Sequence, residues 1–303
     1  MQFFYSDTFP LPLPDGHRFP MAKYTQLRER VAAAPFAQNR LVAPPPTTDA
    51  DLLRAHTPDY LNRVVYGGLS AHEQRRIGFP WSPAMVERSR RSTGATLAAG
   101  LSALDSGLGV NLAGGTHHAF TDAGQGYCVF NDSVVAARAW QAIGKVRRVL
   151  IVDTDVHQGN GTAAITFGDP SIYTFSIHGA KNFPFHKATS DLDIALPDQT
   201  TDEPYLDALE TGLRTAIAAA RADIAIFLSG ADPYERDTLG RLALTKAGLA
   251  ARDDLVLTHL RAAGLPVVLT MGGGYAKSLT DVVDIHYTTI TLAVKLLTSL
   301  PIA

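Results

Sequence analysis

Residues 149–161 read VLIVDTDVHQGNG. Four consecutive branched apolar residues end in Asp153, Thr154, Asp155, Val156 and His157, and a glycine-rich turn follows. A run this short and this uniformly apolar fits a strand covered on both faces. Two carboxylates and an imidazole at the end of such a strand need an account, because buried charge is costly unless something pairs with it. Either these groups satisfy one another as a structural knot, or they hold something.

The same pattern recurs along the chain. Apolar runs at residues 2–5, 110–112, 172–177, 224–228 and 266–271 read as further strands, with a short one at Leu41-Val42. Helical patterns lie between them. Ser82-Pro83 looks like an N-cap followed by Pro at the first helical position, opening a helix to about residue 104. Residues 133–143 follow caps at Asn131 or Asp132. Residues 204–221, 246–263 and 281–300 complete the set. Apolar strands alternating with helices predict an α/β fold, a mainly parallel sheet with helices on both faces, in a single domain over residues 1–303. Nothing in the composition marks a domain boundary or an internal repeat.

In open α/β sheets ligands bind beyond the carboxyl ends of the strands. The first such strand end delivers Gly114-Gly115-Thr116-His117-His118, and the second delivers Asp153, Asp155 and His157. A third delivers Ser229-Gly230-Ala231-Asp232, and the last delivers Gly272-Gly273-Gly274-Tyr275. Alternate residues of an extended segment point the same way, so Asp155 and His157 can face one point, with Asp232 arriving from another strand. Three ligands with a fourth position open is the pattern of a catalytic divalent metal site. The Asp-x-His pair taken alone also reads as a hydrogen-bonded loop pair. The two adjacent histidines read as a base and an acid beside a metal, or as a satisfied core pair. Tyr275 reads as a phenol donor to a developing oxyanion or as a rim residue.

The chain has 303 residues, is 46% hydrophobic and 18% charged, and carries a net charge of -2. That balance gives no electrostatic footprint for nucleic acid or for an anionic membrane. One cysteine, Cys128, excludes an intrachain disulfide and a Cys-rich zinc finger, and Cys128 reads as a small buried residue. No basic segment preceding an apolar stretch opens the chain, and no apolar run is long enough to span a bilayer, so a cytoplasmic location is the expectation. His17-Arg18 follows a Pro-Asp-Gly turn and reads as a surface loop or as a rim of the site, and Arg88, Arg90 and Arg91 read as the solvated face of a helix.

Five stretches, in this order, carry a resemblance. They are GGTHHA from Gly114, GYCVFND from Gly126, DTDVHQGNGT from Asp153, SGADPYERDTLG from Ser229, and MGGGY from Met271. Together they resemble the zinc-dependent histone deacetylase superfamily of the arginase/deacetylase fold, most closely its class IV branch and bacterial relatives. The resemblance implies zinc on Asp155, His157 and Asp232, with ferrous iron as the alternative occupant. It implies a histidine dyad at His117 and His118, with Asp153 orienting His117, and it puts Tyr275 on the substrate carbonyl. It places Gly126, Tyr127 and Phe183 on the wall of an acyl channel. It also implies a structural potassium held by Asp153, Asp155, His157, Ser176 and Ile177, mainly through carbonyls. Three departures stand out. Asn160 replaces the acidic partner that many members give the second histidine, Tyr127 replaces Phe in the channel, and HGAKNFPFHK from His178 replaces a longer loop.

The expected chemistry is metal-assisted hydrolysis of an N-acyl-lysine amide in a peptide or protein. An acylated small amine such as an acetylpolyamine is the alternative substrate. A binuclear ureohydrolase would need an acid at Gly159 to bridge two metals, and a non-catalytic reader would be expected to lack Tyr275 or one dyad histidine.

Overall fold

Val149 and Ile151 pack into one apolar cluster while Leu150 and Val152 pack into another. The same alternation separates Ile224 and Ile226 from Ala225 and Phe227. Successive side chains of a strand face opposite ways, so a strand buried on both faces must be apolar throughout. The two clusters are the two cores of one sheet. The structure is a computed structural model that describes residues 1–297.

The sheet has eight strands: β1 (Phe3–Phe4), β2 (Leu41–Val42), β3 (Leu108–Asn111), β4 (Val149–Asp153), β5 (Ile172–Gly179), β6 (Leu192–Leu196), β7 (Ile224–Gly230) and β8 (Val267–Gly272). Their order is β2-β1-β3-β8-β7-β4-β5-β6, and every pairing is parallel. The four strands whose ends carry the polar motifs, β3, β8, β7 and β4, are therefore consecutive neighbours at the centre of the sheet.

The expected helices are present, with shifted ends. Pro83–Ser106 is capped by the Ser82 hydroxyl, which accepts from the Met85 N–H, and Asp132–Ala142 by Asn131, which accepts from Val134. Asp202–Ala220, Lys246–Ala262 and Leu279–Leu297 follow, and the last three residues expected in that final helix lie outside the described residues. β6 and the helices Ala22–Ala32, Asp49–Leu52, Pro58–Tyr66, Ala71–Ile77 and Asn160–Thr166 were not expected from the periodicity. Arg88 corrects an expectation: it is 6% exposed and donates to the carbonyls of Ser6 and Phe9. It holds the N-terminal segment onto its helix and does not face solvent. Among the described residues no helix is long and apolar enough to cross a membrane.

Candidate active site

Beyond Asp153 the chain leaves the sheet and is fixed by its own side chains. The N–H of Asp155 donates to Asp153 Oδ1 (3.0 Å), and that of His157 to Asp155 Oδ1 (2.9 Å). The Val156 N–H donates to Asp232 Oδ1 (2.9 Å), which ties the end of β4 to the end of β7. Asp155, His157 and Asp232 thereby present one ligand atom each within 4.8 Å of one another, all buried. His157 Nδ1 lies 2.9 Å from Asp155 Oδ1 and 3.2 Å from Asp232 Oδ2.

The Asp232 Oδ2 atom is buried and, despite that proximity, has no hydrogen-bond partner. Burial, and then the facing charge of Asp155, push the Asp232 carboxyl above its ordinary range. Two carboxylates and an imidazole converging in a buried pocket, with one oxygen unpartnered, fit a divalent cation. Among the described residues no further acid joins them to make a binuclear site, and position 159 is glycine.

Deeper support comes from a residue that the sequence did not single out. Arg252, fully buried, donates through Nη1 to the carbonyls of Gly230 (2.6 Å) and Thr154 (3.4 Å). Those carbonyls lie two residues and one residue before the ligands Asp232 and Asp155. Asp253 pairs with the same guanidinium at 2.7 Å and also accepts from Thr289 (2.6 Å). A buried ion pair thus clamps both ligand-bearing backbones from below.

The two histidines have unlike partners. His117 Nδ1 donates to Asp153 Oδ2 (2.6 Å), whereas His118 Nδ1 faces Asn160 Oδ1 (2.7 Å). Burial lowers both imidazolium pKa values. At His117 the Asp153 carboxylate more than offsets it, by charge and by hydrogen bond, and raises the pKa to about 9. At His118 burial is joined by the charges of His117 and His157, so its pKa falls well below the ordinary value. The rings lie 4.1 Å apart, centre to centre, at 50°. Asn160 opens the helix Asn160–Thr166, but the capping position is Gly159 and no side chain caps it.

Tyr275 follows β8 and is fixed through its backbone. Its N–H donates to Asp237 Oδ2 (2.6 Å), and its carbonyl accepts from the Thr238 hydroxyl (2.7 Å). Burial and neighbouring Tyr24, Asp232 and Asp155 push its phenol well above the ordinary value, so it remains a donor. Lys23, 4% exposed, donates to the Gly273 carbonyl and sits 5.2 Å above the Tyr275 ring. Gly273 has φ 58°, and Gly126, with φ 57°, passes so close to His118 that a Cβ there would lie 2.7 Å from its Cδ2.

His117, His118, Asp155, His157, Asp232 and Tyr275 line one cavity of about 770 Å³, together with Gly126, Tyr127 and Phe183; Asp153 and Asn160 do not line it and reach it through His117 and His118. The Tyr127 ring lies 5.9 Å from that of Tyr275, and the Phe183 ring stands edge-on to His118 at 5.0 Å. His17 is held against this wall: its Nε2 meets the Gly78 carbonyl at 2.9 Å, and its ring lies 6.1 Å from Tyr127, which places the next residue, Arg18, on the cavity lining. Cys128 is buried beside them, and burial pushes its thiol pKa up, so it is no nucleophile. Ser176 is paired with Asp153 across β4 and β5, with Ile177 beside it.

Comparison with known proteins agrees with this geometry. A family profile described as the histone deacetylase domain matches residues 17–290. An uncharacterised protein of Picosynechococcus sp. is 42% identical over 283 residues, covering 93% of this chain and 94% of its own. The histone deacetylase-like amidohydrolase of Pseudomonas aeruginosa is 30% identical over 262 residues, covering 80% of this chain and 68% of its own. The crystal structure of a histone deacetylase homologue from Aquifex aeolicus superposes with a TM-score of 0.82 at 21% identity, over 96% of this chain and 83% of that one. The chain belongs to the histone deacetylase family and is a hydrolase of amide bonds.

Proposed function

We propose that the protein hydrolyses N-acyl-lysine amides. The observation that carries this reading is a single cavity holding three convergent ligands, two histidines with unlike partners and a phenol donor, behind an aromatic wall. An apolar, narrow approach suits the alkyl stem of an acylated lysine.

Asp155, His157 and Asp232 would hold zinc, with ferrous iron as the alternative. When bound, such an ion supplies Lewis acidity toward a carbonyl and lowers the pKa of water toward about 7. His118, uncharged at rest, accepts the proton of the attacking water at Nε2. Tyr275 donates its hydroxyl proton in a hydrogen bond to the acyl oxygen as negative charge develops there, a contribution of about 3–4 kcal/mol per donor. His117, kept readily protonated by Asp153, gives its proton to the departing lysine amine. The carbonyls of Asp153, Asp155, His157, Ser176 and Ile177 are the candidate ligands of a structural potassium ion. A lone buried thiol suits a reducing cytoplasm.

The test is a panel of acyl-lysine peptides, from acetyl to long-chain, run beside acetylated polyamines with metal content measured by mass spectrometry. Turnover of peptides with one catalytic ion per chain is the expected outcome. Cleavage confined to polyamines would replace the peptide reading with the small-amine one.

A further inference from the structure

The mouth of the cavity is basic although the chain as a whole carries a net charge of -2. Arg18, Arg75, Arg76, Lys181 and Arg241 line it, and among the described residues the only lining carboxylates are the inner ligands Asp155 and Asp232. Arg75 and Arg76 form the last turn of the helix Ala71–Ile77. That turn is fastened to the channel wall, because the N–H groups of Gly126 and Tyr127 donate to the carbonyls of Arg76 (3.1 Å) and Ile77 (2.7 Å). Arg18 reaches the same rim through His17, which is anchored on Gly78. Arg18 and Arg75 are exposed and their side chains make no hydrogen bond or ion pair among the described residues, while Arg76 donates to neutral Gln125 and lies 5.7 Å from the Phe120 ring. Lys181 and Arg241 share one carboxylate, Asp198, at 4.0 and 3.1 Å, which leaves one positive charge in excess. Phe185, 83% exposed, lines the same cavity, its ring 6.4 Å from that of Phe183.

Three guanidinium groups with no carboxylate partner, lining one cavity, repel a polycation and attract carboxylates, which arginine can grip with two parallel hydrogen bonds. The exposed phenylalanine offers a peptide an apolar contact that a free polyamine cannot use. We propose that this mouth selects an acyl-lysine carried in an acidic stretch of polypeptide, with Asp or Glu flanking the modified residue, and discriminates against acetylated polyamines. The inference rests on the acyl-lysine reading above and specifies its substrate class.

The test uses the zinc-loaded full chain and three peptides sharing one acetyl-lysine, flanked by acidic, neutral or basic residues, beside an acetylpolyamine. At about 10 mM salt, where the Debye length is about 30 Å, kcat/KM for the acidic peptide should exceed that for the basic one by about tenfold or more, and the gap should close near 1 M. Fluorescence anisotropy of the labelled peptides on the metal-free chain should give the same rank. The double variant Arg18→Glu/Arg75→Glu should reverse the order. Equal rates for the three peptides at low salt, or a preference for the basic peptide, would overturn the inference and leave the hydrolase reading standing. No cleavage of any acyl-lysine peptide would overturn both.

Discussion

A Cβ atom at Gly273 would lie 2.2 Å from Cγ of Asp232. The end of β8 passes directly over the carboxylate delivered by β7, in a conformation with φ 58° that residues with a side chain rarely adopt. Glycine here is a condition of the ligand's position. In Gly273→Ala, metal occupancy and turnover should fall together by at least about tenfold, and stability by about 1–2 kcal/mol. Gly264→Ala is the control: φ is 70°, but nothing lies within 4 Å of the added methyl. It should lose comparable stability from strain alone and keep its metal. Mass spectrometry and thermal melts distinguish the two, and equal metal content in both variants would contradict the steric argument.

Asp232 is also where function opposes stability. Its Oδ1 is occupied by the Val156 N–H, while its Oδ2 is buried without a hydrogen bond, and burial and the charge of Asp155 outweigh the attraction of His157 Nδ1 at 3.2 Å. Asp232→Asn keeps an acceptor for Val156 and removes the repulsion. The metal-free variant should therefore melt above the metal-free wild type, by about 1 kcal/mol or more, and bind no catalytic ion. Full metal occupancy with wild-type turnover in Asp232→Asn would show the ligand to be misassigned.

Tyr275→Phe removes a donor whose backbone anchors, to Asp237 and Thr238, do not involve the hydroxyl. The ring and its loop should therefore stay in place. A donor to a developing oxyanion stabilises the transition state more than the ground state. The expected result is a fall in kcat of about 10²–10³ with KM little changed. A rise in KM at constant kcat would make Tyr275 a binding residue only.

The centre of the sheet was legible because its strands are buried on both faces and so stand out as unbroken apolar runs. β6 was missed for the opposite reason: at the sheet edge, Leu192–Leu196 is mostly half-exposed and carries Asp193, which holds Gln158. The helix Ala22–Ala32 buries only Lys23, Leu27 and Val31, a stripe too thin and too polar for periodicity to reveal. The ligand and dyad residues were legible because polar groups after apolar strands are conspicuous. Their supports were not. Lys23, Arg88 and Arg252 look like surface cations in a sequence, and only the fold shows each of them buried against backbone carbonyls.

Asn160 decides the charge of the second histidine. Its Oδ1 lies 2.7 Å from His118 Nδ1, so that nitrogen carries the proton and Nε2 keeps its lone pair for the cavity. An amide oxygen does this without favouring the imidazolium as strongly as a carboxylate does, and Asp153 shows the alternative at His117, whose pKa rises to about 9. In the proposed mechanism His118, lowered by burial and by the charges of His117 and His157, is then the base that is ready without prior deprotonation. Asn160→Asp tests this with almost no change of shape. The new carboxylate adds an attraction to the charged form, so the pKa of His118 rises. The acidic limb of kcat/KM, which reports the free enzyme's base, should move to higher pH by about one to two units. Activity at low pH is lost while the alkaline limb stays in place. The rival account, in which Asn160 caps the helix that follows, makes a different forecast, because Asp caps as well as Asn and the profile would not move. That account already fits poorly, since Gly159 occupies the capping position and the Asn160 side chain turns to His118. An acidic limb unmoved in Asn160→Asp, with the melting temperature of the wild type, would remove Asn160 from the catalytic machinery and reopen which histidine takes the proton.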